Sequence, residues 1–316
     1  MNRQAYPFTS REEWLQLRLQ DITSTDVSAL FGLSPYATEF ELWHNKKRGV
    51  SSSVEENERM TWGNRLQDVI AAGVAEDQGW EAVKFDTYMR LVEKRIGSSF
   101  DFKAICPTRG PGLMEIKNVD RLVFKNDWQE EDGVVIAPPH IELQAQHEMF
   151  VSGMPWCAIV ALVGGNTVKV AIREADPTVH ASIERKVAQF WGSIDRDQAP
   201  SPVLPNDAQF IVKSLYNKAL DGTVANSNPH LDAMLVEYQE TQKQLKALED
   251  QRDSLKAKIL MEVGECAKII SPLGSLSCGE TKSNPGTLVT PEMVGTFINP
   301  RKGFRQFRFY PAKVRI

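Results

Sequence analysis

The run Trp156-Cys157-Ala158-Ile159-Val160-Ala161-Leu162-Val163 has no polar position. A strand turns alternate side chains to opposite faces, so a run that is apolar on both must be covered on both. Gly164-Gly165-Asn166 follows, then Thr167-Val168-Lys169-Val170-Ala171-Ile172, and the glycine pair between two strand-like runs marks a hairpin. The run therefore reads as a central strand covered on both faces, and with the helices below it gives an α/β domain.

Candidate helices lie on either side of that run. Ser10 with Glu13 fits a capping box that opens a short helix bearing Trp14, Leu15 and Leu17. A second short helix is expected from Ser24 or Thr25 to Gly32. Residues 58–78 read as a long helix whose apolar positions are Met60, Leu66, Val69, Ile70 and Val74. Pro138-Pro139 precede a helix at about 140–152, and a helix at about 177–195 closes the domain.

Between these helices lies a pattern with chemical content. Asp101 is followed by Glu115-Ile116-Lys117, and the spacing predicts a hairpin with arms Arg95–Ile105 and Leu113–Val119 around a Cys106–Gly112 turn. Period-two alternation puts Glu115 and Lys117 on one face of the second arm and Met114 and Ile116 on the other. One carboxylate from each arm suits a hard cation such as Mg²⁺, which keeps water in its shell. A lysine beside such a cation can orient the attacking water or offset developing charge. The same residues also fit the solvated face of an ordinary hairpin.

The pattern has company. Trp14–Tyr36 resembles the opening of the YqaJ-like viral recombinase family, phage nucleases related to phage lambda exonuclease. Glu41-Leu42-Trp43 with Gly49, Met60-Thr61-Trp62-Gly63-Asn64-Arg65-Leu66, the Asp101/Glu115/Lys117 pattern and Gln144-Ala145-Gln146-His147 then follow in the family's order. The resemblance covers about residues 10–175 and implies a restriction-endonuclease-like core, a mixed central sheet flanked by helices. It implies Asp101 and Glu115 as metal ligands with the Ile116 backbone carbonyl as a third donor, Lys117 as the residue positioning water, and Gln144 beside them. Arg18, Ser24 and Thr25 match the region that holds a 5′-terminal phosphate. One position departs from the family: Gln67 stands where a glutamate is usual, one charge short, though its carbonyl oxygen can still coordinate metal.

The function implied is an Mg²⁺-dependent DNA exonuclease, with Mn²⁺ as a substitute, degrading duplex ends 5′→3′ to leave 3′ single strands for recombination. The implied partners are double-stranded DNA ends, a single-strand annealing protein and further copies of the chain in a homo-oligomer, a ring-like trimer among the options. The implied location is the cytoplasm of a bacterial host, from a phage or prophage gene. A structure-specific or nicking endonuclease sharing the site is an alternative. A catalytically weak DNA-binding or assembly protein is another, suggested by Gln67 and by the sequence after the nuclease region.

That later sequence is of another kind. The expected organisation is a nuclease domain over 1–199, a linker with a short helix over 200–229, and an extension over 230–316. Pro200-Ser201-Pro202-Val203-Leu204-Pro205 begins the linker, and Ala208–Leu220 reads as its helix. Residues 230–263 repeat apolar side chains every seven positions, with Leu231, Tyr238, Leu245 and Ile259 in one register and Met234, Leu248 and Leu255 in the other. Gly274–Gly279 and Gly303–Tyr310 read as paired strands, the second alternating Phe307 and Phe309 with Gln306 and Arg308.

Composition narrows the class. The net charge of −4 is no global footprint of a nucleic-acid binder, so DNA would meet local cations such as Lys46-Lys47-Arg48. No stretch approaches the roughly 20 apolar residues of a membrane span, and residues 1–4 lead into no signal-type apolar core. Four scattered cysteines suit free thiols in a reducing compartment.

Overall fold

The computed structural model describes residues 2–50, 58–219, 222–279 and 290. Strand β1 (Gln4–Pro7) precedes helices α1 (Arg11–Leu19), α2 (Val27–Leu30), α3 (Glu39–Arg48) and α4 (Glu58–Gln78). Next come β2 (Glu81–Lys84), β3 (Thr87–Leu91), β4 (Ile96–Ser98), β5 (Phe102–Cys106), β6 (Gly110–Val119) and α5 (Arg121–Asp127). A small hairpin, β7 (Gln129–Glu131) and β8 (Val134–Ile136), leads to α6 (Pro139–Ser152). Strands β9 (Trp156–Val163) and β10 (Thr167–Glu174) are followed by α7 (Pro177–Asp195) and α8 (Pro205–Phe210). Last come α9 (Pro229–Val263) and the hairpin β11 (Lys268–Ser271) and β12 (Gly274–Ser277).

The central sheet has the order β10-β9-β6-β5-β2 and is mixed, with β6 parallel to β9 and the other neighbours antiparallel. Strand β9 divides two cores, as its apolar run requires. Cys157, Ile159, Ala161 and Val163 point into one core with Ile141 and Met149 of α6 and Ile183 and Val187 of α7. Trp156, Ala158 and Val160 point into the other with Ile70, Ala71 and Val74 of α4. Each fully buried aliphatic side chain there contributes roughly 1.5–3 kcal/mol. Gly112 is required where it stands, because a Cβ would overlap the Trp156 indole. A mixed central sheet flanked by helices is the arrangement that the resemblance implies.

Helix α4 departs from the expected stripe. Ile70 and Val74 are buried, but Met60 and Val69 are exposed, and Ala71 and Ala75 are buried in their place. Small residues let a helix approach the sheet closely, an effect that a search for large apolar side chains misses.

The arm expected over Arg95–Ile105 is not one strand. Strand β4 belongs to a second sheet of order β1-β3-β4, while β5 belongs to the central one, so the chain crosses between sheets at Ser99-Phe100-Asp101. The turn is also shorter than expected: Cys106 pairs with Gly110, whose φ of 73° favours glycine, and β6 starts there. The second sheet is held by a buried ion pair. Asp21 accepts from Arg90 Nε at 2.6 Å, Arg90 Nη2 at 2.9 Å and the Tyr88 hydroxyl at 3.2 Å.

Local capping explains the other helix boundaries. The Ser10 hydroxyl accepts the Glu13 N–H, opening α1 as expected, while the Glu13 carboxylate takes the Thr9 N–H. The expected start of the second helix at Ser24 or Thr25 is corrected to Val27. Asp26 Oδ2 accepts the Thr23 N–H and Thr23 Oγ1 accepts the Asp26 N–H, closing a turn before the helix. The helix expected over Ala208–Leu220 begins earlier, at Pro205, because Asp207 Oδ2 accepts the Val203 and Leu204 N–H groups; a wide turn over Ile211–Leu215 ends it. Helix α8 packs on α3 through a hydrogen bond from Thr38 to Asp207 and an edge-to-face contact of Phe40 with Phe210.

The chain divides into two compact units, one running to Asn217 and the other beginning at Lys218. In the second, β12 pairs with β11 rather than with the expected Gly303–Tyr310, which lies outside the described residues. Among the described residues no helix is long and apolar enough to cross a membrane.

Candidate active site

The two ends of the candidate site are set by strand pairing. Strand β5 starts at Phe102, opposite Met114, so the next β6 donor, Ile116 N–H, lies beyond its reach. Asp101 Oδ2 takes that N–H at 2.8 Å, which fixes the carboxylate at the corner between the sheets. Its other oxygen accepts from Gln67 Nε2 of α4 at 3.0 Å. On β6, Glu115 and Lys117 share the face that also carries Leu113 and Val119, turned towards α6. There Lys117 Nζ donates to Glu115 Oε1 at 2.6 Å and to Gln144 Oε1 at 3.1 Å. Gln144 Nε2 donates in turn to Glu115 Oε1 at 2.7 Å.

Sequence reasoning missed one member. Glu148, one helical turn beyond Gln144 and buried, accepts from Gln144 Nε2 at 2.9 Å. The Gln144 amide thus gives its hydrogens to two carboxylates and turns its oxygen to the Lys117 ammonium. An i, i+4 pair on a helix was the available signal, but a glutamate at that spacing is ordinarily a surface residue.

The electrostatics are those of excess negative charge in a dry place. Burial pushes the Asp101 carboxyl up to about 7, and Glu115 pushes it the same way against Lys117 and the Ile116 N–H. Burial opposes the Lys117 ammonium, but the attraction of Glu115 and Asp101 outweighs it and raises its pKa. Burial, then Glu115, lift Glu148 well above the usual carboxylate range. Three carboxyl groups, Asp101, Glu115 and Glu148, thus act on a single ammonium that only Glu115 contacts, an imbalance that a bound cation would relieve.

The donor set fits a hard cation. Among the described residues no group of three or more His, Cys, Asp or Glu is arranged as a metal centre. Asp101 and Glu115 supply oxygen from two carboxylates, which suits Mg²⁺ and its retained waters rather than a metal needing a closed nitrogen or sulfur cage.

The remaining expected residues lie apart from this cluster or beside it. Arg18 Nη2 donates to Thr25 Oγ1 at 2.8 Å and Thr23 Oγ1 at 3.3 Å, and its guanidinium lies 4.5 Å from the Trp14 ring centroid. Ser24 is buried, and Asp26 beside it pairs with Lys46 at 2.9 Å. The four-residue helix α2 starts after this turn, so Arg18 and the threonines carry the cationic and hydroxyl groups there. Gln146 serves the scaffold: it donates to the Glu174 carbonyl at 2.8 Å and accepts the Asp176 N–H at 3.0 Å, tying α6 to the entry of α7.

Residues 13–155 match the family model described as the YqaJ-like viral recombinase domain. The chain is 28% identical over 252 residues to "Uncharacterized protein YqaJ" of Bacillus subtilis (strain 168), covering 77% of each. Among solved structures it is similar to an alkaline exonuclease (LHK-Exo) of Laribacter hongkongensis, at 20% identity and a TM-score of 0.48 over 59% of this chain and 94% of that one. It is also similar to a phage related exonuclease of Haemophilus somnus 129PT, at 13% identity and a TM-score of 0.41 over 56% of this chain and 94% of that one.

Proposed function

The chain carries a YqaJ-like viral recombinase domain, and on that premise we propose that it is a metal-dependent deoxyribonuclease acting 5′→3′ on duplex ends. The observation that carries the reading is the hydrogen-bonded cluster of Glu115, Lys117 and Gln144, from a strand and a helix, with Asp101 held beside it on the Ile116 N–H and electrostatically coupled to Glu115 and Lys117. Asp101 and Glu115 would hold Mg²⁺, with the Ile116 carbonyl and the Gln67 side chain as further oxygen donors. Bound there, the cation supplies Lewis-acid polarisation of a phosphate and a more acidic water.

The protein's own groups do the rest. Lys117, locked between Glu115 and Gln144, keeps its proton and presents a fixed positive charge where negative charge develops on the phosphate. Gln144 holds that ammonium in place, and Glu148 holds Gln144. Arg18, with Thr25 at its tip, offers a guanidinium to a terminal 5′-phosphate, which carries more charge than an internal diester. The product would be duplex with 3′ single strands, the substrate of a single-strand annealing protein in a bacterial cytoplasm.

Gln67 favours a second reading. It gives Asp101 a hydrogen bond instead of a further carboxylate, which suits a weaker nuclease whose DNA-binding or assembly role dominates. Incubation with Mg²⁺ and equal amounts of linear duplex and covalently closed plasmid separates the readings. The exonuclease reading predicts loss of the linear form alone. Cleavage of the closed circle would favour an endonuclease, and survival of both would favour the assembly role.

A further inference from the structure

Helix α9 repeats apolar side chains every seven residues, yet leaves them open. Leu245, Leu248 and Leu255 are 57%, 62% and 53% exposed, and Met234 and Ile259 are 46% and 48% exposed. Together with Leu276 of β12, Leu248, Leu255 and Ile259 line a groove along the C-terminal half of the helix. A helix of 35 residues, about 50 Å long, with an apolar stripe of this kind along its length is built to meet another helix.

The order of residues identifies that helix. Of the three polar interruptions of the two registers, Thr241 and Arg252 lie equally far from the midpoint between Lys246 and Ala247, and the third, Glu262, falls opposite Leu231 at the ends of the pair. An antiparallel pairing of two identical helices about that midpoint sets each register against the other. Leu245 then meets Leu248 of the second copy, Met234 meets Ile259, and Thr241 meets Arg252, each twice by symmetry. The same alignment also brings Tyr238 opposite Leu255. On the flanks Glu237 faces Lys258, Gln244 faces Gln251 and Gln242 faces Glu249, so no like charges meet. A parallel, in-register pairing would instead stack Arg252 on Arg252 in the apolar seam. We propose that α9 is a self-association surface and that its occupant is α9 of a second copy of this chain, antiparallel, in this register. The pairing is independent of the nuclease reading, and either can fail alone.

A charge-exchange cycle on the full-length protein tests it, read by sedimentation velocity over a range of concentrations at low salt. Glu237 and Lys258 are both exposed, so the fold tolerates their substitution. Glu237→Lys or Lys258→Glu alone removes two attractions and creates two repulsions, and should raise the dissociation concentration about tenfold. The double variant Glu237→Lys/Lys258→Glu should return it to within about twofold of the unmodified protein, because the exchanged pairs attract again. Leu245→Asp should abolish this association by placing charge at the centre of the seam. Three results would overturn the proposal: single reversals without effect, a double variant no better than the singles, or an unchanged distribution for Leu245→Asp. The last would mean that another segment of the chain or a different protein covers the stripe.

Discussion

The carboxylate of Asp101 stands in for a strand. At 2.8 Å from the Ile116 N–H it occupies the hydrogen-bonding position on β6 that β5, starting one residue later, leaves open. The oxygen that takes this N–H belongs to the carboxylate proposed to hold the cation, so scaffold and chemistry share one side chain.

Gln67→Glu should act in opposite directions with and without metal. In the absence of divalent cations it replaces a hydrogen bond to Asp101 with a like charge and should lower the thermal midpoint. In Mg²⁺ the added charge should tighten metal binding about fivefold, equivalent to about 1 kcal/mol. Calorimetric titration with Mg²⁺ and melting curves in chelator test both arms. Equal metal affinity in variant and parent would place residue 67 outside the metal shell.

Arg18→Ala should remove discrimination between duplex ends. A charge-assisted hydrogen bond contributes about 1.5–3 kcal/mol, so 5′-phosphorylated duplex should be digested roughly tenfold or more faster than 5′-hydroxyl duplex by the parent. The variant should lose most of that gap while binding Mg²⁺ normally. Equal rates on both ends by the parent would eliminate a phosphate pocket at Arg18.

His147 should make the nuclease unit acid-sensitive. It is buried on α6 with Nε2 3.1 Å from the Gly97 carbonyl, and burial depresses its pKa to about 4, with Asp26 and the Gly97 carbonyl acting the other way and His180 adding to the depression. Because the folded value lies below the usual 6.5 or so, the unfolded chain binds the proton first. The contribution is complete above about pH 6.5 and is lost as pH falls towards 4, by on the order of 3 kcal/mol. Urea midpoints from pH 7 to 4 should show this loss, and His147→Gln, which keeps a donor for Gly97, should show less of it. Parallel curves for the two proteins would remove His147 as the cause.

A chain ending at Asn217 should remain folded and keep its nuclease activity. The contacts of α8 with α3 lie within the first unit, as do Asp101, Glu115, Lys117 and Gln144. A far-ultraviolet melting curve with one cooperative transition, together with activity per chain near the parent's, is the expected outcome. Insolubility would make the second unit part of the folding core.

How much of this could be read from the sequence depended on how local the cause was. The two cores around β9 follow from an apolar run that tolerates no other placement. The spans of α4, α6 and α9 follow from periodicity and from proline at the first turn of α6 and α9. The sheet change at Ser99-Phe100-Asp101 was not legible, because β4 and β5 differ in their pairing partners, and partners are a long-range property. The late start of α2 was hidden by a side-chain exchange between Thr23 and Asp26 that competes with helix formation. Glu148 escaped notice because only the folded arrangement carries a glutamate from α6 into the interior, against the general preference of that side chain for water.

The central claim is that Asp101 and Lys117 do chemistry rather than hold the fold, and single-turnover digestion of end-labelled linear duplex in Mg²⁺ tests it most directly. Asp101→Asn keeps an acceptor for the Ile116 N–H, and Lys117→Met keeps the length of the side chain without its charge. Each should melt as a folded protein and cleave at least about a hundredfold more slowly than the parent, the size of loss seen when a charge-stabilising group is removed from a reacting centre. Near-parent rates from either folded variant would contradict the account.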